Sequence, residues 1–170
     1  RASQSLAELM ATLRRFKTDV ALLTALADLG GVWPVMTVTN VLTRTADTCL
    51  QAAVDFLFAA AIARGDWLRV PGDRQAVATS GYIVLAMGKY GAFELNYSSD
   101  IDLIVFYDLA KAQVRPGLEP QLFFVRLTRD LVRIMQERTG EGYVFRTDLR
   151  LRPDPGATQV ALSTTAALHY

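Results

Sequence analysis

At 170 residues with 51% hydrophobic side chains, the chain can bury a sizeable core, which excludes an intrinsically disordered segment. A formal net charge of +1 excludes a global field for polyanions such as nucleic acid, so any attraction for phosphate has to come from local clusters of arginine. The single cysteine, Cys49, excludes an intrachain disulfide and fits a reducing compartment.

Ser5 and Glu8 match a capping box, and Leu6, Leu9, Met10, Leu13 and Phe16 then recur at helical spacing. A second helix is predicted from Asp19 to Leu29, with Val20, Leu23, Leu26 and Ala27 on its packed side, ending at Gly30-Gly31. Trp33 reads as a packing anchor. Pro34 suits the first turn of a new helix, and apolar residues from Val35 to Ile62 predict one long helix or two abutting ones, closing at Arg64-Gly65. The apolar thread through these helices reads as core rather than as a partner-binding face, and Cys49, beside Leu50 and Ala53, as a small buried hydrophobe. No signal peptide is visible. The longest uninterrupted apolar run, Phe56 to Ala63, is far below the ~20 residues of a membrane span, so a soluble, cytoplasmic protein with no membrane role is expected.

Asp66 to Ser80 is polar and reads as a loop. Tyr82 to Met87 is a continuous apolar run, as in a strand buried on both faces. Gly88-Lys89-Tyr90-Gly91 is a turn, Phe93 to Leu95 allows a brief helical turn, and Asp100 to Tyr107 is the next strand. After a loop carrying Pro116-Gly117, Pro120 to Thr139 is amphipathic, with Phe123, Leu127, Leu131 and Ile134 inward and Arg126, Arg129, Asp130, Arg133 and Glu137 outward. Gly140-Glu141-Gly142 turns into a third strand, Tyr143 to Pro153. A helical pattern is still running at Leu168-His169-Tyr170, so the chain reads as a piece of a longer protein. The expected organisation is a helical N-terminal segment, 1–65, followed by a core, 66–170, truncated at its C-terminus.

The chemistry gathers on two of these strands. Side chains alternate along a strand, so Asp100 and Asp102 share a face with Cα atoms about 6.6 Å apart. Two carboxylates held so repel each other unless a cation or a proton intervenes. On the third strand Arg146, Asp148, Arg150 and Arg152 share one face. One acid among three arginines suggests a carboxylate that completes a metal site, flanked by cations for phosphate. Three aspartates suit Mg²⁺, with substrate phosphates filling the remaining positions and room for a second metal. Gly88 and Gly91 let backbone amides approach a phosphate, and Lys89 adds charge there. Nothing matches the GxxxxGK[ST] loop. A glycine turn, an Asp-x-Asp strand and a third-strand Asp in this order point to metal-dependent nucleotidyl transfer.

Gly88, Asp100-Ile-Asp102 and Asp148 together resemble the polymerase-beta-like nucleotidyltransferase superfamily. Within it, MGKYGAFELNYSSDIDLIVFYD, GYVFRTDLRLRPDPGATQVALS and the helical LRRFKTDVALLTALADLGGVWP are similar to the glutamine synthetase adenylyltransferase/adenylyl-removing enzymes, over nearly the whole chain. The resemblance implies an α+β nucleotidyltransferase fold, a small mixed sheet with helices, preceded by a helical N-terminal segment. It implies that Asp100, Asp102 and Asp148 are metal ligands for Mg²⁺ or Mn²⁺. Gly88, Lys89, Gly91, Ser98 and Ser99 would bind the nucleotide, ATP or ADP. Arg150 and Arg152 match the family's LRP motif, and Arg146 is the candidate for holding inorganic phosphate.

Such enzymes carry two related domains: one transfers AMP from ATP to a tyrosine of glutamine synthetase, the other removes it by phosphorolysis to give ADP. Leu95-Asn96 leading into Ser98-Ser99-Asp100, and Phe145-Arg146-Thr147-Asp148, resemble the N-terminal, adenylyl-removing domain; in the adenylylating domain the position of Arg146 tends to be acidic. The forward transferase domain stays open as the alternative, as does a non-catalytic nucleotide-sensing module. A nucleotidyltransferase acting on RNA is disfavoured by the near-neutral charge and the lack of an aromatic stacking platform. Glutamine synthetase is the implied partner, with glutamine and a nitrogen-regulatory PII protein as regulators. The chain departs from the superfamily pattern at Lys89, where Gly or Ser usually follows the first glycine. It departs from the family at 154–159, which lack the expected Gly-Pro.

Overall fold

A computed structural model describes residues 5–68 and 76–168. Helix α1, Leu6–Leu29, starts at the predicted capping box: the Glu8 amide donates to Ser5 Oγ at 3.2 Å, and the Ser5 amide to Glu8 Oε2 at 2.8 Å. It runs unbroken through Lys17-Thr18-Asp19, where two helices were expected; no glycine or proline interrupts the backbone ladder there. Gly30 and Gly31, the latter at φ +67°, turn the chain into α2, Val35–Ala63, as one helix.

The two helices form a hairpin whose open end is buried and whose tip is not. Leu9, Met10 and Leu13 are in the core, but Leu23 and Leu26, expected to pack, are 64% and 61% exposed. Leu22, Leu29, Val32, Val35 and Met36 extend the same apolar tip. The reason is geometric: the main partner of α1 is α2, and near its C-terminus α1 runs past the elements that bury its first turns. Trp33 is half-buried against the core. By length and composition alone α2 could cross a membrane, with an 18-residue window of mean hydropathy 1.4, although no uninterrupted apolar run in it is long. That criterion is also met by core helices, and Val38, Leu42, Ala46, Cys49, Leu50, Ala53, Val54, Phe58 and Ala61 are buried within this protein.

Beyond α2, Trp67 bridges to Val114, and a single helical turn, α3 (Ala76–Thr79), leads into the sheet. The expected loop at 66–80 otherwise lies partly outside the described residues. Strand β1, Tyr82–Met87, pairs antiparallel with β2, Ile101–Tyr107, in a register from Tyr82↔Tyr107 to Met87↔Asp102. On its other side β2 pairs in parallel with two short strands: β3 (Thr147–Asp148) opposite Ile101 and Asp102, and β4 (Leu162–Ser163) opposite Phe106 and Tyr107. Strand β2 is thus the spine of a four-stranded mixed sheet. Together with the helices this gives the expected α+β architecture.

Only one face of the sheet is packed. Ile101, Leu103, Val105 and Tyr107 are buried, while Asp102, Ile104 and Phe106 alternate with them on a more open face. Strand β1 is correspondingly not buried on both sides: Ile83 and Leu85 are 39% and 42% exposed. Between β1 and β2 a one-turn helix, α4, occupies Gly88–Gly91, where a turn was expected, and the helical turn expected at Phe93 to Leu95 is absent. Helix α5, Pro120–Gln136, covers the packed face. The predicted third strand shrinks to Thr147–Asp148, because the chain turns at Arg150-Leu151. A last turn, α6, spans Thr164–Ala167.

An aromatic cluster joins the layers. Phe124 of α5 stacks on Tyr107 at 4.7 Å between ring centroids and on Tyr82 at 5.9 Å, and Phe58 of α2 meets Trp67 edge-on at 5.1 Å. The Tyr82 hydroxyl lies 2.8 Å from Thr128 Oγ1, which in turn donates to the Phe124 carbonyl, so the buried phenol is satisfied. Arg14 ties α1 to the end of α5 through a 2.7 Å bond from Nη2 to the Glu137 carbonyl.

Phe124 is fully buried. Replacing it with alanine should destabilise the fold by about 3–5 kcal/mol, read as a lowered midpoint of urea unfolding. Burial pushes the Cys49 thiol up to about 12. A thiol reagent at pH 8 should therefore leave Cys49 unmodified in the folded protein and modify it after denaturation.

Candidate active site

The open face of the sheet brings the predicted acids together. Asp102 lies on β2 opposite Asp148 of β3, so their side chains emerge on the same side, and Asp100 sits just ahead of β2. Gly88, at φ +54°, has no side chain because there is no space for one: a Cβ there would lie 2.6 Å from the Asp102 carboxylate. Sequence reasoning assigned Gly88 to phosphate approach; the structure adds that it makes room for an acid.

Each of the other two acids is held by an arginine. Arg146 Nε donates to Asp100 Oδ1 at 2.5 Å, and its Nη2 donates to the Ser98 carbonyl at 2.9 Å. Arg150 grips Asp148 through Nε and Nη2, at 2.9 and 2.5 Å to Oδ2, and its backbone amide donates to Oδ1 at 2.7 Å. Arg146 and Arg150 are well exposed. The arginine and amide bonds hold the Asp148 carboxyl below the usual range. Asp102 is pushed the other way, first by desolvation and then by the charges of Asp148 and Asp100.

The remaining candidates take quieter places. Ser98 and Ser99 shape the entry to β2: the Ser98 amide donates to Asn96 Oδ1 at 3.1 Å, and the Asn96 amide to Ser99 Oγ at 3.2 Å. Gly91 makes room for backbone, since a Cβ there would sit 2.5 Å from the Ala86 carbonyl oxygen. Lys89 is exposed. The guanidinium of Arg152 is taken up by the carbonyls of Leu149 and Pro155, at 2.5 and 2.9 Å, so it fastens the loop after β3. The shared strand face predicted for Arg146, Asp148, Arg150 and Arg152 is not formed, because the strand is only Thr147–Asp148; Arg146 and Arg150 reach the acids from outside it, whereas Arg152 bonds to backbone carbonyls instead.

Two tethers went unforeseen. Tyr90 of α4 is buried and donates to Asp47 of α2 at 2.6 Å, and Tyr97 donates to Asp28 of α1 at 3.2 Å. They fix the segments before and after Leu95 to the helical hairpin. No local pattern links Tyr90 to an acid 43 positions earlier; the sole clue was a polar residue, Asp47, in the apolar stretch of α2.

Among the described residues no three acids, histidines or cysteines stand close enough to hold a metal with the side chains as they are. The donor set nevertheless fits a hard divalent cation. All three groups are carboxylates, two are occupied by guanidinium cations, and the third is pushed toward its neutral form by desolvation and then by the charges of the other two. Asp100, Asp102 and Asp148 are thus the residues that could hold Mg²⁺ or Mn²⁺, after rotation of Asp100 and Asp148 away from the arginines.

A methyl group at position 88 has to displace Asp102. The Gly88→Ala variant should therefore lose about 10–100-fold in Mn²⁺ affinity while keeping its fold, as checked by metal titration alongside circular dichroism.

Comparison with known proteins places the chain. The model for the family glutamate-ammonia ligase adenylyltransferase matches residues 1–170. The chain is 58% identical over 164 residues to the bifunctional glutamine synthetase adenylyltransferase/adenylyl-removing enzyme of Bradyrhizobium diazoefficiens, covering 96% of this chain and 16% of that protein. The enzymes of the same description from Rhodopseudomonas palustris and Xanthobacter autotrophicus are 55% and 53% identical over 169 residues, covering 99% of this chain and 17% of each. The chain thus spans about a sixth of the length of these curated relatives. With every residue inside the family match, the chain belongs to the glutamate-ammonia ligase adenylyltransferase family.

Proposed function

We propose that this chain carries the adenylyl-removing activity: it releases AMP from a tyrosine of glutamine synthetase by phosphorolysis, with inorganic phosphate as nucleophile and ADP as product. Residues 66–170 serve as the catalytic core and 1–65 as its scaffold. The observation that carries this reading is Arg146, a guanidinium 2.5 Å from Asp100 at the mouth of the acidic cluster, in the segment Phe145-Arg146-Thr147-Asp148. A guanidinium there, once Asp100 turns to a cation, suits an anionic nucleophile, and inorganic phosphate is such a nucleophile.

An oxygen of inorganic phosphate attacks the phosphorus of the tyrosyl-AMP diester in line with the bond to the tyrosine oxygen. The new P–O bond makes ADP, and the broken one releases tyrosinate, which takes up a proton. Asp100, Asp102 and Asp148 would hold Mg²⁺ or Mn²⁺, which when bound neutralises charge on phosphoryl oxygens. Arg146 binds the incoming phosphate, and Arg150, paired with Asp148, brings a second cation to the cluster. Gly88 keeps space for Asp102. The tethers from Tyr90 and Tyr97 to the hairpin keep the flanking segments still, so the contribution of this chain is mainly positioning and charge. Glutamine synthetase is the protein substrate in this reading, with glutamine and a PII-type protein acting on the longer polypeptide.

The forward reaction, AMP transfer from ATP to the unmodified synthetase, is the alternative. With adenylylated glutamine synthetase, phosphate and Mg²⁺, the protein should release ADP, and with ATP and unmodified synthetase it should transfer little AMP; the reverse pattern would favour the alternative. Joint replacement Asp100→Ala with Asp102→Ala should lower the rate of ADP release by at least about a thousandfold, a loss of the size expected for removing charge stabilisation at the reacting centre. Arg146→Glu should raise the phosphate concentration needed for half-maximal rate; an unchanged dependence on phosphate would remove Arg146 from this role.

A further inference from the structure

The two arginines that the proposed reaction needs for phosphate are both engaged with carboxylates that it needs for a cation. Arg146 is committed to Asp100 and the Ser98 carbonyl, and Arg150 to Asp148. Asp102 accepts no hydrogen bond among the described residues, so it alone is ready for a cation. We propose that divalent cation and inorganic phosphate bind here cooperatively by exchange of ion-pair partners: the cation takes Asp100 and Asp148 from the arginines, and the freed Arg146 and Arg150 take the phosphate. This deepens the reading above and rests on its assignment of cation and phosphate to this site.

Charge and exposure both support the exchange. With Arg152 acting on Asp148 from nearby, three carboxylates and three guanidinium groups leave the cluster no net positive charge to hold phosphate. A divalent cation supplies it. Both ion pairs are partly open to water, with the Arg146 and Arg150 side chains 55% and 83% exposed. Exposed pairs of this kind are weakly held and are easily traded for a better partner. Carboxylate oxygens are strong ligands for Mg²⁺ or Mn²⁺, and a planar guanidinium suits phosphate in two-point contact. Because binding couplings are reciprocal, phosphate must also strengthen cation binding by the same factor.

The test is a set of equilibrium titrations without turnover. Mn²⁺ binding is followed by loss of the free-ion paramagnetic resonance signal, and inorganic phosphate binding by calorimetry, in the wild type and in Arg146→Gln/Arg150→Gln. In the wild type, saturating Mn²⁺ should tighten phosphate binding by about tenfold or more, within the usual range of coupled sites. In the double variant phosphate affinity without Mn²⁺ should change less than about twofold, since the arginines were already occupied, and the Mn²⁺-dependent gain should vanish. Mn²⁺ itself should bind the variant severalfold more tightly than the wild type.

Two results overturn the exchange while leaving the proposed reaction intact. One is an equal loss of phosphate affinity with and without Mn²⁺, which means the arginines were free from the start. The other is a full Mn²⁺-dependent gain in the variant, which means the cation alone recruits phosphate. If the wild type binds no Mn²⁺, the metal assignment of the proposed reaction falls first, and the exchange with it. Arg150→Gln alone is the fallback should the double variant unfold, because among the described residues the Arg150 side chain hydrogen-bonds only to Asp148; it should lose part of the Mn²⁺-dependent gain, and retention of the whole gain counts against the exchange.

Discussion

The register of β2 is the constraint on which the site depends. Asp102 stands opposite Met87 on one neighbour and opposite Asp148 on the other, with Gly88 leaving space for its carboxylate. Three separate segments therefore deliver their chemistry to one point through backbone pairing alone. A slip of one residue would turn Asp102 toward the packed face of the sheet and would put Leu103 in its place. The buried alternation of Ile101, Leu103, Val105 and Tyr107 forbids that slip, so the packing of one face of the strand fixes the chemistry on the other.

The helical hairpin belongs to the same device. Its buried end contributes Phe58 to the aromatic cluster and Arg14 to the end of α5, from which the chain proceeds to Asp148. Asp47 and Asp28 hold Tyr90 and Tyr97, which bracket the segment between the glycine turn and the acids. The tip of the hairpin, beside Asp28, carries an exposed apolar surface of leucines and valines.

Much of this was legible in the sequence, and the limits have physical causes. The capping box at Ser5, the stripe of α5 and the Asp-x-Asp strand are local patterns that obey helical or strand periodicity, and they stand where expected. The helix break before Asp19 does not exist, since weak amphipathicity alone does not stop a helix. Local signal also overestimated the third strand: alternation from Tyr143 to Pro153 is real, yet only Thr147 and Asp148 find a partner on β2. Burial was read least well, because an apolar residue such as Leu23 or Leu85 looks alike whether or not another layer covers it. The acids and arginines of the site were picked out, but their pairing was not, since which arginine meets which aspartate is decided by the turn at Arg150 and by the position of Ser98.

In the proposed reaction the chain supplies charge of both signs within one small area. Aspartates without arginines would repel phosphate, and arginines without aspartates would have no means to hold a cation beside the diester. The direct measurement is the fate of the nucleophile. Radiolabelled inorganic phosphate is incubated with the protein, Mg²⁺ and adenylylated glutamine synthetase. Label recovered in the β-phosphoryl group of ADP, one equivalent for each AMP removed, is the expected result. Unlabelled AMP as the product, or no release of nucleotide at all, would contradict it.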